Sequence, residues 1–486
     1  MLQLREMILK MKEKDLQSFS IELKESKSQK HVILFDLLCD AELSEEEVFR
    51  RMDLKKGAYY TLTSRLHEKF KEFLARQNSL SKANLLINIT HIPNLIFNTP
   101  KKEAILVLEK LEKDLLKNDM PCALIIVYSA LKKIHQGTPL FFNYSSQYNK
   151  NLAYTATLEK AEELLMSFNG KLAEYLVSRN KQLIEILTFI KNEMKAVSSH
   201  YESHHLKIYK LILDISFSVS LSGAGCEEDD PIEDMLVSMS EVFNSFPDDP
   251  TYQHLDKIYH FLLFEYYHSI KVHKKAAAYL ETVNETLNGF LQYNYFIFPA
   301  KYFISKLEHY QLLKKQHLLF EENKFLLNEY VPDPENIFEN ILYFKYLAIS
   351  AIYSQKYSEA VNFLNTLINL VNLRLYLHSE IEIKFLLVIC NSMINDYNAA
   401  VFYLRSIIRK LNEVQGDAYR HAKVMIKLLQ LQTSSTVKSN DTVHKMFELR
   451  DEFIILNTGQ FRMLDHLDFS NDFIVNLGKP VKKTVG

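Results

Sequence analysis

Glycine and proline are scarce. The 486-residue chain holds 10 glycines and 11 prolines, about 2% each against typical usage of about 7% and 5%. Turns and hairpins draw heavily on those two residues, so a β-sandwich, a β-barrel and a collagen-like chain are excluded. Tryptophan is absent. Cysteine appears only as Cys39, Cys122, Cys226 and Cys390, each far from the next along the chain. That leaves no CxxC and no metal-ligand spacing, and the thiols read as reduced, mostly core-filling side chains. Neither sign of charge dominates: 58 Lys and Arg face 60 Asp and Glu, a net of −2. Such a balance gives no reason to expect a coat of nucleic acid or an anionic membrane. Long hydrophobic runs are missing too. The longest uncharged apolar stretches, near 122–131 and 385–394, are about half a membrane span. Charges recur from Arg5 to Asp15, so no secretory signal is expected and the expected compartment is the cytoplasm.

Motifs of catalysis are also lacking. The chain has no GxGxxG, GxxxxGK[ST], GxSxG or HExxH, the patterns that place phosphates, nucleophiles or zinc. No enzyme and no cofactor are expected. The most metal-like cluster is His200, His204 and His205. His200 and His204 share a helix face with Glu193 two turns earlier, but Glu202 points away and a zinc site needs three or four ligands. The cluster reads as an exposed polar patch at a helix start.

What is present is apolar residue in abundance, 47% of the chain. A chain this long can bury roughly 75% of its surface. The length matches about three domains or one long repeat array. Long helices with short connections are expected: an all-α fold, a helix-pair repeat solenoid preceded by a small helical domain over 1–80.

Within 1–80 the apolar spacing predicts helices over 2–23, 29–40, 44–52 and 58–77. Ser44-Glu45-Glu46-Glu47 has the form of a capping box, and Asp53-Leu54-Lys55-Lys56-Gly57 reads as a turn. The segment from Ser44 to Tyr60 resembles the helix-turn-helix of sigma-factor region 4 and related bacterial response-regulator heads. Val48, Met52 and Leu54 match the apolar positions, and Gly57 matches the position before the second helix. Two positions depart from the pattern. Phe49 stands where the family has a small residue, and Asp53 stands where it has glycine. Residues 50–76 carry eight cations against three acids. The resemblance implies a DNA-reading helix that starts at Ala58, with Lys55, Lys56, Tyr59, Tyr60 and Arg65 as its contacts. The acids Asp40, Glu42, Glu45, Glu46 and Glu47 just ahead of it oppose a polyanion. A structural cap for the array behind is the competing reading.

From residue 81 the chain reads as helix after helix, with helices over about 120–135, 154–168, 170–196 and 200–221 and an exposed acidic loop at 222–231. The strongest signal is an internal repeat. His273-x-x-Ala276-Ala277-x-x-Leu280 recurs as Tyr357-x-x-Ala360-Val361-x-x-Leu364, and again as Tyr397-x-x-Ala400-Val401-x-x-Leu404. Leu263, Leu347 and Leu387 precede the three alanines at one constant interval. A weaker copy starts at Gln316, midway between the first two, and another is expected at Lys101-x-x-Ala104-Ile105-x-x-Leu108. The unit is roughly 40–42 residues long, within the range of two-helix repeats. In it the small residue lets the second helix press closely on the first. The pattern over about 250–412 resembles the tetratricopeptide repeat: Leu347 and Ala348 match its Leu-Gly pair, while Ala360 and Ala276 match its small residue in the second helix. The repeat's tryptophan and terminal proline are missing here, and the family's own period is shorter, at about 34 residues. Expected divisions are therefore 1–80, 81–221, the loop 222–231, tetratricopeptide-like repeats over 232–477, and a mobile basic tail at 478–486.

The resemblance implies a scaffold that binds a protein or peptide. Tyr266, Tyr267, Tyr346 and Tyr353 are candidates to line its concave face, where tyrosine offers apolar area and a hydroxyl. The alternative function is a transcriptional regulator, with 1–80 reading DNA and the array sensing a partner.

Overall fold

A computed structural model of the chain describes residues 4, 8, 13–25, 29–39, 45–52, 56–221, 231–247, 249–291, 296–414, 417–434, 440–459 and 461–478. The described residues are all-α, 83% helix, with no strand among them. No described helix is long and apolar enough to cross a membrane. Two compact units are formed. The first is Met1–Thr155 with Phe246–Thr251; the second is Ala156–Ser245 with Tyr252–Gly486. These divisions do not fall at 80, 221 or 231. The loop 222–230 and the tail 479–486 lie outside the described residues.

The first unit opens with α1 (Glu13–Glu25), α2 (Gln29–Cys39), α3 (Glu45–Met52) and α4 (Lys56–Thr90). Apolar side chains of all four close on one core, with Phe19 packed against Phe35, Phe70 and Phe73 at 5.0–5.1 Å between ring centroids for its three pairs. α4 does not end near 77; it runs 35 residues without a break. Its two ends nevertheless serve different cores. Tyr59, Leu66, Phe70 and Phe73 face the head. Leu85 and Ile89 join a second core with α5 (Ile92–Asn98), α6 (Lys101–Lys117) and α7 (Pro121–Ile134). No helix end falls near residue 80, and α4 contributes side chains to both cores.

α8 (Leu140–Ser178), α9 (Gln182–Ser198), α10 (His204–Leu221) and α11 (Ile232–Ser245) follow. The break expected between 168 and 170 is absent, and Gly170 sits exposed inside α8. α8 stops instead at Arg179, in the left-handed region at φ 56°.

In the second unit, one turn recurs. It ends α12 (Pro250–Ser269) ahead of α13 (His273–Glu285), α15 (Lys301–Leu312) ahead of the 3₁₀ turn Gln316–Leu318 and α16 (Leu319–Glu322), α18 (Ile337–Tyr353) ahead of α19 (Tyr357–Leu370), and α20 (Leu377–Met393) ahead of α21 (Tyr397–Glu413). Short helices α14 (Leu287–Leu291) and α17 (Lys324–Glu329) intervene, and α22 (Arg420–Ser434), α23 (Asn440–Leu456) and α24 (Asn471–Gly478) complete the chain. In each turn one residue is left-handed: Lys271, Lys314, Gln355 and Asn395, at φ 60°, 55°, 57° and 66°. Its amide donates to the carbonyl three residues back. The next amide donates five back, as from Lys356 to Ala351 at 2.9 Å and from Asp396 to Asn391 at 2.8 Å. This double closure satisfies carbonyls that a helix end leaves orphaned. Asp119 makes the same turn between α6 and α7 in the first unit.

Five residues after each left-handed residue stand Ala276, Leu319, Ala360 and Ala400, all 0% exposed. The repeat leucines Leu263, Leu280, Leu347, Leu364, Leu387 and Leu404 are buried as well. α18 packs on α19 and α20 on α21 across these positions. The copy expected at Lys101 is placed differently. Ala104 is buried, but α6 is entered from extended Pro100, and the matching turn comes later, at Asp119.

Buried charges bind the second unit across longer distances. Lys345 on α18 meets Glu382 on α20 at 2.7 Å, both largely shielded. Glu382 also accepts from the Leu464 amide at 2.9 Å, and Tyr353 donates to the His466 carbonyl at 2.7 Å. The segment after α23 is thereby held against α18 and α20. Glu265 on α12 takes Lys301 and Ser305 of α15, and Lys301 reaches Ser220 of α10 at 2.7 Å. A charge taken out of water is tolerable only with such partners.

Stability measurements test this packing in two ways. Ala360→Leu and Ala400→Leu each overfill a closed helix contact and are expected to cost about 1–3 kcal/mol; unchanged urea midpoints would remove the alanines from the interhelical contact.

The second test uses acid. Burial holds His309 and His378 down at about 4. Burial pushes Glu382 up, but Lys345 and His378 outweigh it and leave the carboxyl at about 2. A histidine kept neutral stabilises the fold above its unfolded value of about 6.5, and that contribution is lost as pH falls toward 4. Glu382 contributes above about 4.5 and loses its contribution as pH falls toward 2. Glu339 opposes them: burial raises it to about 7, so its contribution is present below 4.5 and lost as pH rises through 7. Two histidines outweigh one glutamate. The urea midpoint should fall from pH 7.5 to pH 5 and again below pH 4.5; a rise over the first interval would overturn this balance.

Candidate functional site

An open concavity of the second unit lies along α21. Its first wall is the end of α19, where the Val371 amide still closes on Leu367 at 2.8 Å. The chain then turns through Asn372, whose side chain accepts from the Arg374 amide at 3.3 Å. That contact sets where Arg374 leaves the backbone. The floor is α20, through Glu380 and Lys384. The second wall is α21, whose start is fixed by Asp396 capping the Ala399 amide at 3.0 Å. Tyr403 donates to Asn365 at 3.3 Å and joins the two walls. The volume of this open groove is about 1070 Å³. A second groove of about 620 Å³ lies on the other side of α21, so that helix is a ridge between two hollows.

Helical spacing places Phe402, Ser406, Arg409 and Glu413 along one stripe of the ridge. Phe402 is 67% exposed and belongs to both grooves. Leu370 is 43% exposed on the facing wall. The cations divide into two sets. Lys384 is committed to the buried Glu380, at 2.5 Å, and donates to Ser406 at 2.9 Å; Lys410 lies 3.5 Å from the same carboxyl. Arg374, Arg405 and Arg409 are exposed and make no ion pair among the described residues. Burial raises the Tyr403 hydroxyl pKa, so it stays protonated. The ridge therefore carries an exposed aromatic ring, with Arg374 and Arg409 open in the larger groove and Arg405 and Arg409 open in the smaller. Guanidinium matches carboxylate or phosphate in bidentate fashion, and a ring set in a hollow gives an apolar anchor.

None of the tyrosines picked from the sequence lies in this groove. Tyr266 and Tyr267 sit together on α12, half-buried. Tyr267 stacks on Tyr279 at 5.7 Å, Lys275 lies 4.6 Å over the Tyr267 ring, and Tyr266 reaches Glu233 at 3.5 Å. Tyr346 is 2% exposed and donates to Asn323 at 2.7 Å. Tyr353 is spent on the His466 carbonyl and accepts from Gln311 at 2.8 Å. Neither Tyr346 nor Tyr353 presents its hydroxyl to a partner. Sequence reasoning passed over Phe402, Arg405 and Arg409. The available signal was an aromatic and two arginines at intervals of three and four on a helix whose apolar stripe lies elsewhere.

The histidines also separate. His200 is exposed, while His204 pairs through Nδ1 with the Tyr252 hydroxyl and lies against His205 with ring centroids 4.1 Å apart and the rings tilted by 36°. Of the thiols, Cys390 is buried, Cys39 half-buried and Cys122 exposed; Cys122 is therefore not core filler. Cys226 lies outside the described residues.

In the head, Lys55 lies outside the described residues, and so do the side chains of Lys56 and Tyr60. Arg65 is exposed. Tyr59 is only 1% exposed and packs edge-on against Phe49 at 5.0 Å. The helix-turn-helix resemblance put Tyr59 on a reading face, whereas here it fills the helix contact together with the aromatic that replaces the family's small residue. No family model, curated protein or solved structure matches the chain.

A side chain in the core touches no base edge, so the head is expected to leave duplex DNA unbound. An electrophoretic mobility assay at about 50 mM salt, where phosphate contacts are strongest, should show no shift at micromolar protein. A shift that weakens steeply with salt and is lost in Arg65→Glu would return the DNA reading.

Proposed function

We infer that this chain is a non-enzymatic helical-repeat scaffold of tetratricopeptide-like type, whose second unit binds a protein or peptide partner. The observation that carries the reading is the ridge of α21, where exposed Phe402 stands between two grooves, with exposed Arg374 and Arg409 lining the larger and exposed Arg405 and Arg409 lining the smaller. A hollow of this size suits a chain segment, and an aromatic with arginines is the composition that dominates binding energy at interfaces. The recurring left-handed turn and the closed alanine contacts support a stack of helix pairs. In such an array each pair is braced by its neighbours, and the groove sits on a fixed frame.

The test is to replace Phe402 with a photo-crosslinking phenylalanine analogue and irradiate the full chain in cells of its source. A discrete protein adduct, identified by mass spectrometry and lost when Arg405→Glu and Arg409→Glu are added, is the expected result. Irradiation that yields no adduct, or the same adducts with the arginines reversed, overturns the groove as the binding site.

A further inference from the structure

Resting on the scaffold reading, we propose that the groove takes an acidic linear segment of a partner protein, carrying two or three carboxylates around one aromatic or aliphatic side chain.

Charge decides the class. The acid in the floor is Glu380, and it is buried and held by Lys384 and Lys410. Those two lysines are therefore occupied from within the protein. Arg374 on one rim and Arg405 and Arg409 on the ridge have no such acid among the described residues, and among the lining residues only Glu413 remains as an exposed carboxylate. A ligand that supplies carboxylates meets Arg374 and Arg409 in the larger groove, and Arg405 where it crosses the ridge into the smaller one. One that supplies cations meets three like charges and a lysine pair already satisfied.

The apolar parts fix the rest. Phe402 projects at 67% exposure, and Leu370 faces it at 43%, above the buried Val371 and Leu373. An isolated small anion leaves these surfaces wet, so the ligand needs an apolar side chain between its charges. The ridge sets the spacing. Phe402, Arg405 and Arg409 stand at intervals of three and four residues on α21, so charge and ring lie within about two helical turns. A short peptide can satisfy all of them at once. Single-stranded nucleic acid also combines phosphates with stacked rings, but it uses a series of aromatic platforms. Here Tyr403 is tied to Asn365, leaving Phe402 as the exposed ring of the groove.

The proposal is tested by selecting a displayed library of random peptides on the full chain, with Arg405→Glu/Arg409→Glu and Phe402→Ala as parallel baits. All three residues are exposed, and helical circular dichroism verifies that each bait is folded; if the charge reversal impairs folding, Arg405→Gln/Arg409→Gln serves instead. The expected result is enrichment of Asp and Glu flanking an aromatic or leucine. Synthetic versions should bind at least tenfold more weakly to the arginine variant, and more weakly as salt rises. Enriched peptides without acidic bias that still need Phe402 overturn the acidic class and leave the scaffold reading standing. No enrichment on the folded chain overturns both. A labelled oligouridylate that binds in an arginine-dependent way where no peptide does overturns both and makes the groove a nucleic-acid surface.

Discussion

The second unit depends on how closely the second helix of each pair can approach the first. Two features act together at that point. A left-handed residue reverses the chain within three residues, and five residues later stands a side chain with no exposed area, alanine in three copies and Leu319 in the fourth. The turn is costly for the residues that make it. Lysine, glutamine and asparagine each carry a Cβ, and the left-handed region costs such residues about 1–2 kcal/mol. The two paired amide bonds and the contact beneath offset that strain. Because the same device recurs at Lys271, Lys314, Gln355 and Asn395, its geometry is imposed four times, and α18 to α21 inherit regular packing from it.

The copy at Lys314 departs from the rule in an informative way. Positions held by leucine in the other copies are Lys306 and Asn323 here, both buried. Each has a partner. Lys306 meets Glu322 at 3.3 Å and lies near the rings of Tyr302 and Tyr310. Asn323 bonds to Tyr346 and Ser350. A buried polar side chain is tolerable when satisfied and costly when not. Tyr346 is thus drawn into the core by the polar residue of a neighbouring pair. Lys345 with Glu382, and the return of Leu464 and His466 onto them, extend the same logic to the end of the chain.

Much of this was legible in the sequence. The scarcity of glycine and proline and the apolar spacing already indicated an all-helical chain, and the alanine–leucine pattern located buried alanines at 276, 360 and 400, the last two in packed helix pairs. What escaped has specific causes. The left-handed terminators are not glycines, so a search for glycine caps passes over Arg179, Lys271 and Gln355. The break expected near 168–170 rested on sequence texture, and a glycine within a 39-residue helix costs too little to end it. The polar residues at Lys306 and Asn323 are why the copy at Gln316 read as the weaker one. Tyrosine was weighed as a binding residue because it is amphipathic, yet the same hydroxyl lets it satisfy buried acceptors. Composition alone does not separate these roles; the location of an acceptor such as Asn323 or the His466 carbonyl does.

The groove illustrates the same distinction between residues that serve the fold and residues left over. Glu380 is buried, and a buried carboxylate needs cations. Lys384 supplies one from the same helix and Lys410 another from α21. These lysines look like groove residues by position but are structural by partnership. The arginines nearby meet no internal acid among the described residues, so no buried charge there depends on them. Phe402 likewise stands outside the stripe of Ala400, Leu404 and Ile407 that α21 buries, and its exposure does nothing for the fold. When a helix has met its packing obligations through one face, the residues on its other face are free to answer to something else. On α21 those residues are an aromatic ring and two guanidinium groups at helical spacing, Arg409 facing Arg374 across the larger hollow and Arg405 lining the smaller. This is why the binding reading rests on these residues rather than on the more numerous tyrosines.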